Sequence, residues 1–151
     1  MSRRPAITFD DEVTAKLQQL GKKSPACLDS VLYGISFSMK QAVLKKMDST
    51  FTERTGQMKK GIQYQKMRKA FFKLRAPALA SIYEHHGADI TGKGGALRFK
   101  VDGEVVYRQS VHIEPRPFFY PGVRGYLASG ELNRVAEKEI DHQLKKVGLK
   151  L

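Results

Sequence analysis

Apolar side chains recur at helical spacing in two stretches ahead of residue 50. Val13, Leu17 and Leu20 mark a short helix that Asp10 is placed to cap and Gly21 to stop. Ser24-Pro25, a capping residue followed by proline at the first helical position, opens the second. There Leu28, Val31, Leu32, Ile35, Met39, Ala42, Val43 and Met47 form a stripe that predicts a helix running to about Asp48. Gly34 inside it costs on the order of 1 kcal/mol relative to alanine, so its presence implies close packing against another backbone or a slight bend. Two such helices cannot bury their apolar faces alone and need a sheet or a neighbouring subunit.

Beyond residue 50 the helical period gives way. A turn-like cluster surrounds Thr55-Gly56. Phe72-Lys73-Leu74-Arg75-Ala76 alternates as a half-buried strand does, with Ile62-Gln63-Tyr64-Gln65 as its candidate partner; a helix through 66–72 is the alternative. Pro77 near the start and Gly87 just past the end bracket a short helix. Residues 88–95 hold three glycines and no regular pattern, which predicts a flexible surface loop. Asp102-Gly103 between two alternating runs, 97–101 and 104–108, is a strong signal for a hairpin with a type I′ turn. Val111-His112-Ile113 extends its second strand or forms another, and Pro115 and Pro117 end any pairing. A last helix from about Glu131 buries Leu132, Val135, Ala136, Ile140 and Leu144. The expected fold is one α+β domain over 1–151, with residues 1–23 an arm or short helix. In it a long N-terminal helix and a C-terminal helix pack on a small, mainly antiparallel sheet built around the 97–108 hairpin.

Composition narrows the class. A chain of 151 residues suits one core, and 41% hydrophobic content argues against wholesale disorder. No apolar run approaches the roughly 18 residues that read as a membrane span, so no membrane partner is expected. The single cysteine, Cys27, excludes an internal disulfide and sits on an apolar face as core filler. Charge is more telling: 27 Lys and Arg against 15 Asp and Glu give +12. The excess lies in the first half. Arg54, Lys59, Lys60, Lys66, Arg68, Lys69, Lys73 and Arg75 follow one another with no acid between them. Such a run is read as facing a polyanion or an acidic partner, with a merely solvated face as the alternative.

Catalytic chemistry finds little support. Adjacent His85 and His86 point about 100° apart on a helix that Gly87 closes before Asp89, the residue four positions after His85, which argues against a metal site with Asp89, His112 or His142. Gly92-Lys93-Gly94-Gly95 has the composition of a phosphate cradle without its order or a following helix. Nothing in the sequence pairs Glu84, Glu104 or Glu114 across a cleft. No cofactor and no enzymatic activity are expected.

Three short pieces, in order, carry a family resemblance: Thr55-Gly56-Gln57-Met58-Lys59-Lys60-Gly61-Ile62, then Ala80-Ser81-Ile82-Tyr83-Glu84-His85-His86-Gly87, then Arg116-Pro117-Phe118-Phe119-Tyr120-Pro121 ahead of the last amphipathic stretch. Across about residues 54 to 147 the chain resembles the tail-completion, or head–tail joining, proteins of long-tailed bacteriophages. Leu79-Ala80 stands where that pattern has Tyr-Ala, and His86 intrudes before Gly87. The resemblance implies a virion subunit, assembled in the host cytoplasm, whose copies form a homo-oligomeric ring at the head-proximal end of the tail. A hexamer is expected by analogy with the sixfold tail tube. Its partners would be the tail tube, the head connector and genomic DNA passing through the lumen without sequence specificity. Thr55, Gly56, Glu84, Gly87, Arg116, Pro117 and Phe118 become the expected assembly residues, with Glu84–Arg116 as a charge pair. Lys59, Lys60, Lys66, Arg68, Lys69, Lys73 and Arg75 become candidates for the DNA lumen or an acidic neighbour. The alternative is a small basic nucleic-acid-binding module with 54–75 as its surface, although no helix-turn-helix, ribbon or zinc-finger pattern is visible. A nuclease is a distant third.

Overall fold

A computed structural model describes residues 7–51, 56–148 and 150. Their elements run α1 (Asp11–Lys23), α2 (Pro25–Thr50), α3 (Gln57–Gly61), β1 (Gln63–Arg68), β2 (Phe71–Arg75), α4 (Leu79–His86), β3 (Ala88–Thr91), β4 (Leu97–Val101), β5 (Glu104–Arg108), β6 (Ser110–Ile113), α5 (Phe119–Ala128) and α6 (Glu131–Val147). The α+β class and both framing helices match the sequence pattern. Thr55 and Arg54, and with them most of the expected turn, lie outside the described residues.

Helix α2 is the axis of the core. Its residues Cys27, Val31, Ile35, Met39, Val43 and Met47 repeat every four positions and are all buried. Against them pack α1 through Val13 and Leu20, α5 through Val123 and Tyr126, and α6 through Leu132, Ala136 and Ile140. Gly34 and Gly122 let two of these helices approach. A Cβ on Gly34 would meet the Glu139 side chain on α6 at 2.7 Å, and one on Gly122 would lie 2.9 Å from Val43 Cα. The neighbour at Gly34 is thus the Glu139 side chain and not another backbone.

Four expectations need correction. α1 does not stop at Gly21 but runs to Lys23, because nothing at Gly21 breaks the backbone ladder; Ser24, ahead of Pro25, is its cap and donates its N–H to Leu20. The strands form no single sheet: they make three antiparallel two-stranded ladders, β1–β2, β3–β6 and β4–β5. The 88–95 segment is not all loop, since Ala88 to Thr91 pairs with Ile113 to Ser110. Helix α5 has no counterpart in the sequence reading, because Pro121 and Gly122 look like breakers. Pro121 is harmless in the first turn, where its missing N–H has no intrahelical partner to lose.

The last two ladders are halves of one ribbon. β6 follows β5 after Gln109, whose carbonyl accepts the Gly92 N–H at 3.0 Å, so residues 92–96 bulge out of an otherwise continuous pairing. Asp102 (φ 51°) and Gly103 (φ 91°) close its tip as the type I′ turn requires. The β4–β5 half leaves most of its side chains exposed and packs substantially on none of the helices.

Candidate functional site

The second and third resembling segments meet at one corner, and the described part of the first contributes to the same core. From the first, Met58 on α3 and Ile62 just past its end enter the same core that holds Phe118. Gly56, with φ 69°, takes the left-handed conformation at the N-cap of α3. A Cβ on Gly61 would sit 3.1 Å from that of Ala78, just ahead of α4. The second and third segments then touch directly: the Arg116 N–H donates to the Glu84 carbonyl at 2.6 Å. Gly87 ends α4 at φ 74°, and a Cβ there would lie 2.8 Å from the Ile113 carbonyl oxygen and 3.2 Å from the Pro115 nitrogen. Exposed Pro117 leads into Phe118, which is wholly buried and meets Phe51 and His85 edge to face at 5.7 and 5.9 Å.

The Glu84–Arg116 side chains pair, but not as a fork. Arg116 Nε stands 3.9 Å from Glu84 Oε2, beyond hydrogen-bond length, and the guanidinium is half exposed. Glu84 Oε2 is itself buried and accepts no hydrogen bond among the described residues. The backbone bond, not the charge pair expected from the sequence, ties this corner together. A pair of this length with one half-exposed partner is worth no more than about 1 kcal/mol. Arg116→Lys should accordingly leave the melting temperature of the monomer within about 3 °C of wild type by circular dichroism. A larger loss would show that the planar guanidinium holds the fold.

The histidines serve packing. His85 meets Phe118, Tyr120 and His86 edge to face, and burial, followed by the neighbouring His86, holds its imidazole below the ordinary histidine range. Ser81 lies one turn before it on α4, 2% exposed and with no partner for its hydroxyl. That i, i+4 spacing was a signal available in the sequence. His112 instead pairs with Asp89 at 2.6 Å across β3–β6, which raises its pKa.

The basic run divides. Lys66 reaches Asp29 on α2 at 2.5 Å, with the Ala70 N–H on the other carboxylate oxygen, and Lys59 reaches Asp48 at 2.6 Å. These acids come from α2, so a run with no acid of its own is partly neutralised from elsewhere in the chain. On β2 the alternation sends Phe72 and Leu74 inward and Phe71, Lys73 and Arg75 outward. Arg68 stacks over Phe71 on that outward side, 5.6 Å from the ring centre. Lys60 and Lys69 are also exposed. Among the described residues no ion pair engages Lys60, Arg68, Lys73 or Arg75.

Two features had no counterpart in the sequence reading. A cavity of about 620 Å³ opens between α2, β2, α4 and α5, lined by Leu32, Ile35, Met39, Phe72, Ile82 and Tyr120 among others. A second, of about 740 Å³, lies between α2, β1 and α6, lined by Tyr33, Phe37, Tyr64 and His142. Among the described residues no three His, Cys, Asp or Glu side chains gather as a metal site, and no helix is long and apolar enough to cross a membrane. The chain has no significant match to a protein-family model, to a curated protein or to a solved structure.

Proposed function

We propose that this protein is a non-catalytic virion subunit whose copies close into a ring, most simply a hexamer, at the head-proximal end of a long phage tail, completing the tail and joining it to the head connector. The observation that carries this reading is the convergence of the second and third resembling segments. Glu84, Gly87, Arg116 and Phe118 are separated by up to 34 positions yet form one corner, each in a role that its residue type suits. The charge fits a ring around DNA. A ring about 30 Å tall encloses roughly 18 phosphates at one charge per about 1.7 Å. One or two inward Lys or Arg per subunit would offset much of that, while incomplete neutralisation leaves the DNA free to slide.

Particles made without the protein should contain filled heads and tail tubes that fail to join or end irregularly in electron micrographs. Normal, infectious particles in its absence would end this reading. The outward Lys73, Arg75 and Arg68 favour one other reading, a small basic nucleic-acid-binding module. That reading requires the isolated monomer to bind DNA regardless of sequence, with affinity falling steeply as salt rises.

A further inference from the structure

We propose that copies of this chain join by strand addition: β5 of one copy pairs antiparallel with the free edge of β2 in the next and lays Val105 and Tyr107 into the apolar cavity beside it. The inference rests on the self-assembly proposed above and names its contact.

The acceptor is an unfinished sheet. Among the described residues β2 has β1 on one edge only, and every residue from Phe71 to Arg75 lines the 620 Å³ cavity, those facing inward and those facing outward alike. A strand that borders a cavity with both of its faces presents its edge to it. Leu32, Ile35 and Met39 of α2 lie beyond, and Ile82 of α4 stays 46% exposed on the far wall. An unpaired edge beside an apolar floor is the arrangement that receives an extended segment, with backbone bonds giving affinity and alternate side chains giving specificity.

The donor is the ribbon tip. A lone two-stranded hairpin is marginal in water, and this one carries apolar side chains on both faces. Phe99 pairs with Val106 on one, while Val105 (40% exposed) and Tyr107 (59% exposed) share the other. One register matches both strands at most positions. With Glu104 opposite Arg75, Val105 falls opposite Leu74, Val106 opposite Lys73, Tyr107 opposite Phe72 and Arg108 opposite Phe71. The inward face then joins Val105 and Tyr107 to Leu74 and Phe72 over the cavity. The outward face joins Glu104 to Arg75, with Val106 beside the Lys73 stem and Arg108 beside the Phe71 ring that Arg68 already covers. Cross-strand pairs of these kinds each stabilise a sheet.

Other strands of the chain fit worse. β4 with Leu97 and Phe99 inward would place Arg98 and Lys100 against Lys73 and Arg75. Residues ahead of Ile7 include Arg3 and Arg4, of the same sign as that edge, and Pro5, which lacks a backbone donor. Donor and acceptor are different surfaces, so the contact is head-to-tail and closes into a ring when its rotation permits.

Charge reversal tests the register. Glu104→Arg and Arg75→Glu should each weaken self-association in sedimentation velocity about tenfold, and the double variant should recover most of that loss. Tyr107→Asp should abolish association while melting as wild type does. Unchanged association in Glu104→Arg, or a double variant no better than either single one, overturns the strand contact and leaves the ring proposal standing. A wild-type chain that stays monomeric at every concentration overturns the contact outright. Particles that assemble normally without the protein would end the head–tail reading and leave this contact intact.

Discussion

Phe118→Ala is expected to lower stability by about 3–5 kcal/mol, the largest single loss among these substitutions. Phe118 is fully buried and closes the corner between α4 and α5, with Phe51 and His85 edge-on to its ring and Met58 and Ile62 in the same core. Truncation removes the transfer free energy of a benzyl group and leaves a void that three separate elements would have to collapse to fill. For a domain of this size the melting temperature should fall by about 10 °C or more, measured by circular dichroism or calorimetry. Phe71→Ala provides the contrast. That ring is 47% exposed on the outward face of β2, and its loss should move the melting temperature by no more than about 3 °C. Equal losses at the two positions would mean that the corner is not a closed core.

Gly87→Ala should cost about 3 kcal/mol, through backbone and sterics together. Its φ of 74° with ψ of 165° belongs to glycine alone, and the added methyl would stand 2.8 Å from the Ile113 carbonyl, which is backbone and cannot swing aside. Relief would pull β6 and Pro115 away from α4 and stretch the bond from Arg116 N–H to the Glu84 carbonyl. Gly56→Ala separates the two causes. Gly56 also has positive φ, in the left-handed helical region, but among the described residues nothing lies within 4 Å of its Cβ position. Only the conformational penalty of about 1–2 kcal/mol should appear there. Denaturant unfolding that ranks Gly56→Ala at or above Gly87→Ala would refute the close approach at Gly87.

The helices with a continuous apolar stripe were legible because burial on one face writes its own period. α2 and α6 needed no tertiary information, and Cys27 fell on the predicted buried face. The 97–108 hairpin was equally plain, since Asp102-Gly103 supplies the positive φ values of its turn. α3 and α5 were not legible. One is five residues long, too short to show a period, and the other carries Pro121, Gly122 and Gly125, whose local preferences oppose a helix until α2 packs against it.

Sequence alone fixed which residues seek the interior and where the backbone must turn, because hydrophobic period, proline and positive-φ glycine act over a few neighbouring positions. It also fixed the surplus of positive charge. Tertiary structure decided which charges are cancelled, since Asp29 and Asp48 come to Lys66 and Lys59 from another element. It decided that Glu84 and Arg116 meet through the backbone with their side chains 3.9 Å apart, a distance set by how α4 and the 113–118 turn cross and by no spacing along the chain. It alone left one edge of β2 unpaired, among the described residues, beside an apolar cavity. Edges and cavities are what remains when packed elements fail to cover one another, and no local pattern records them.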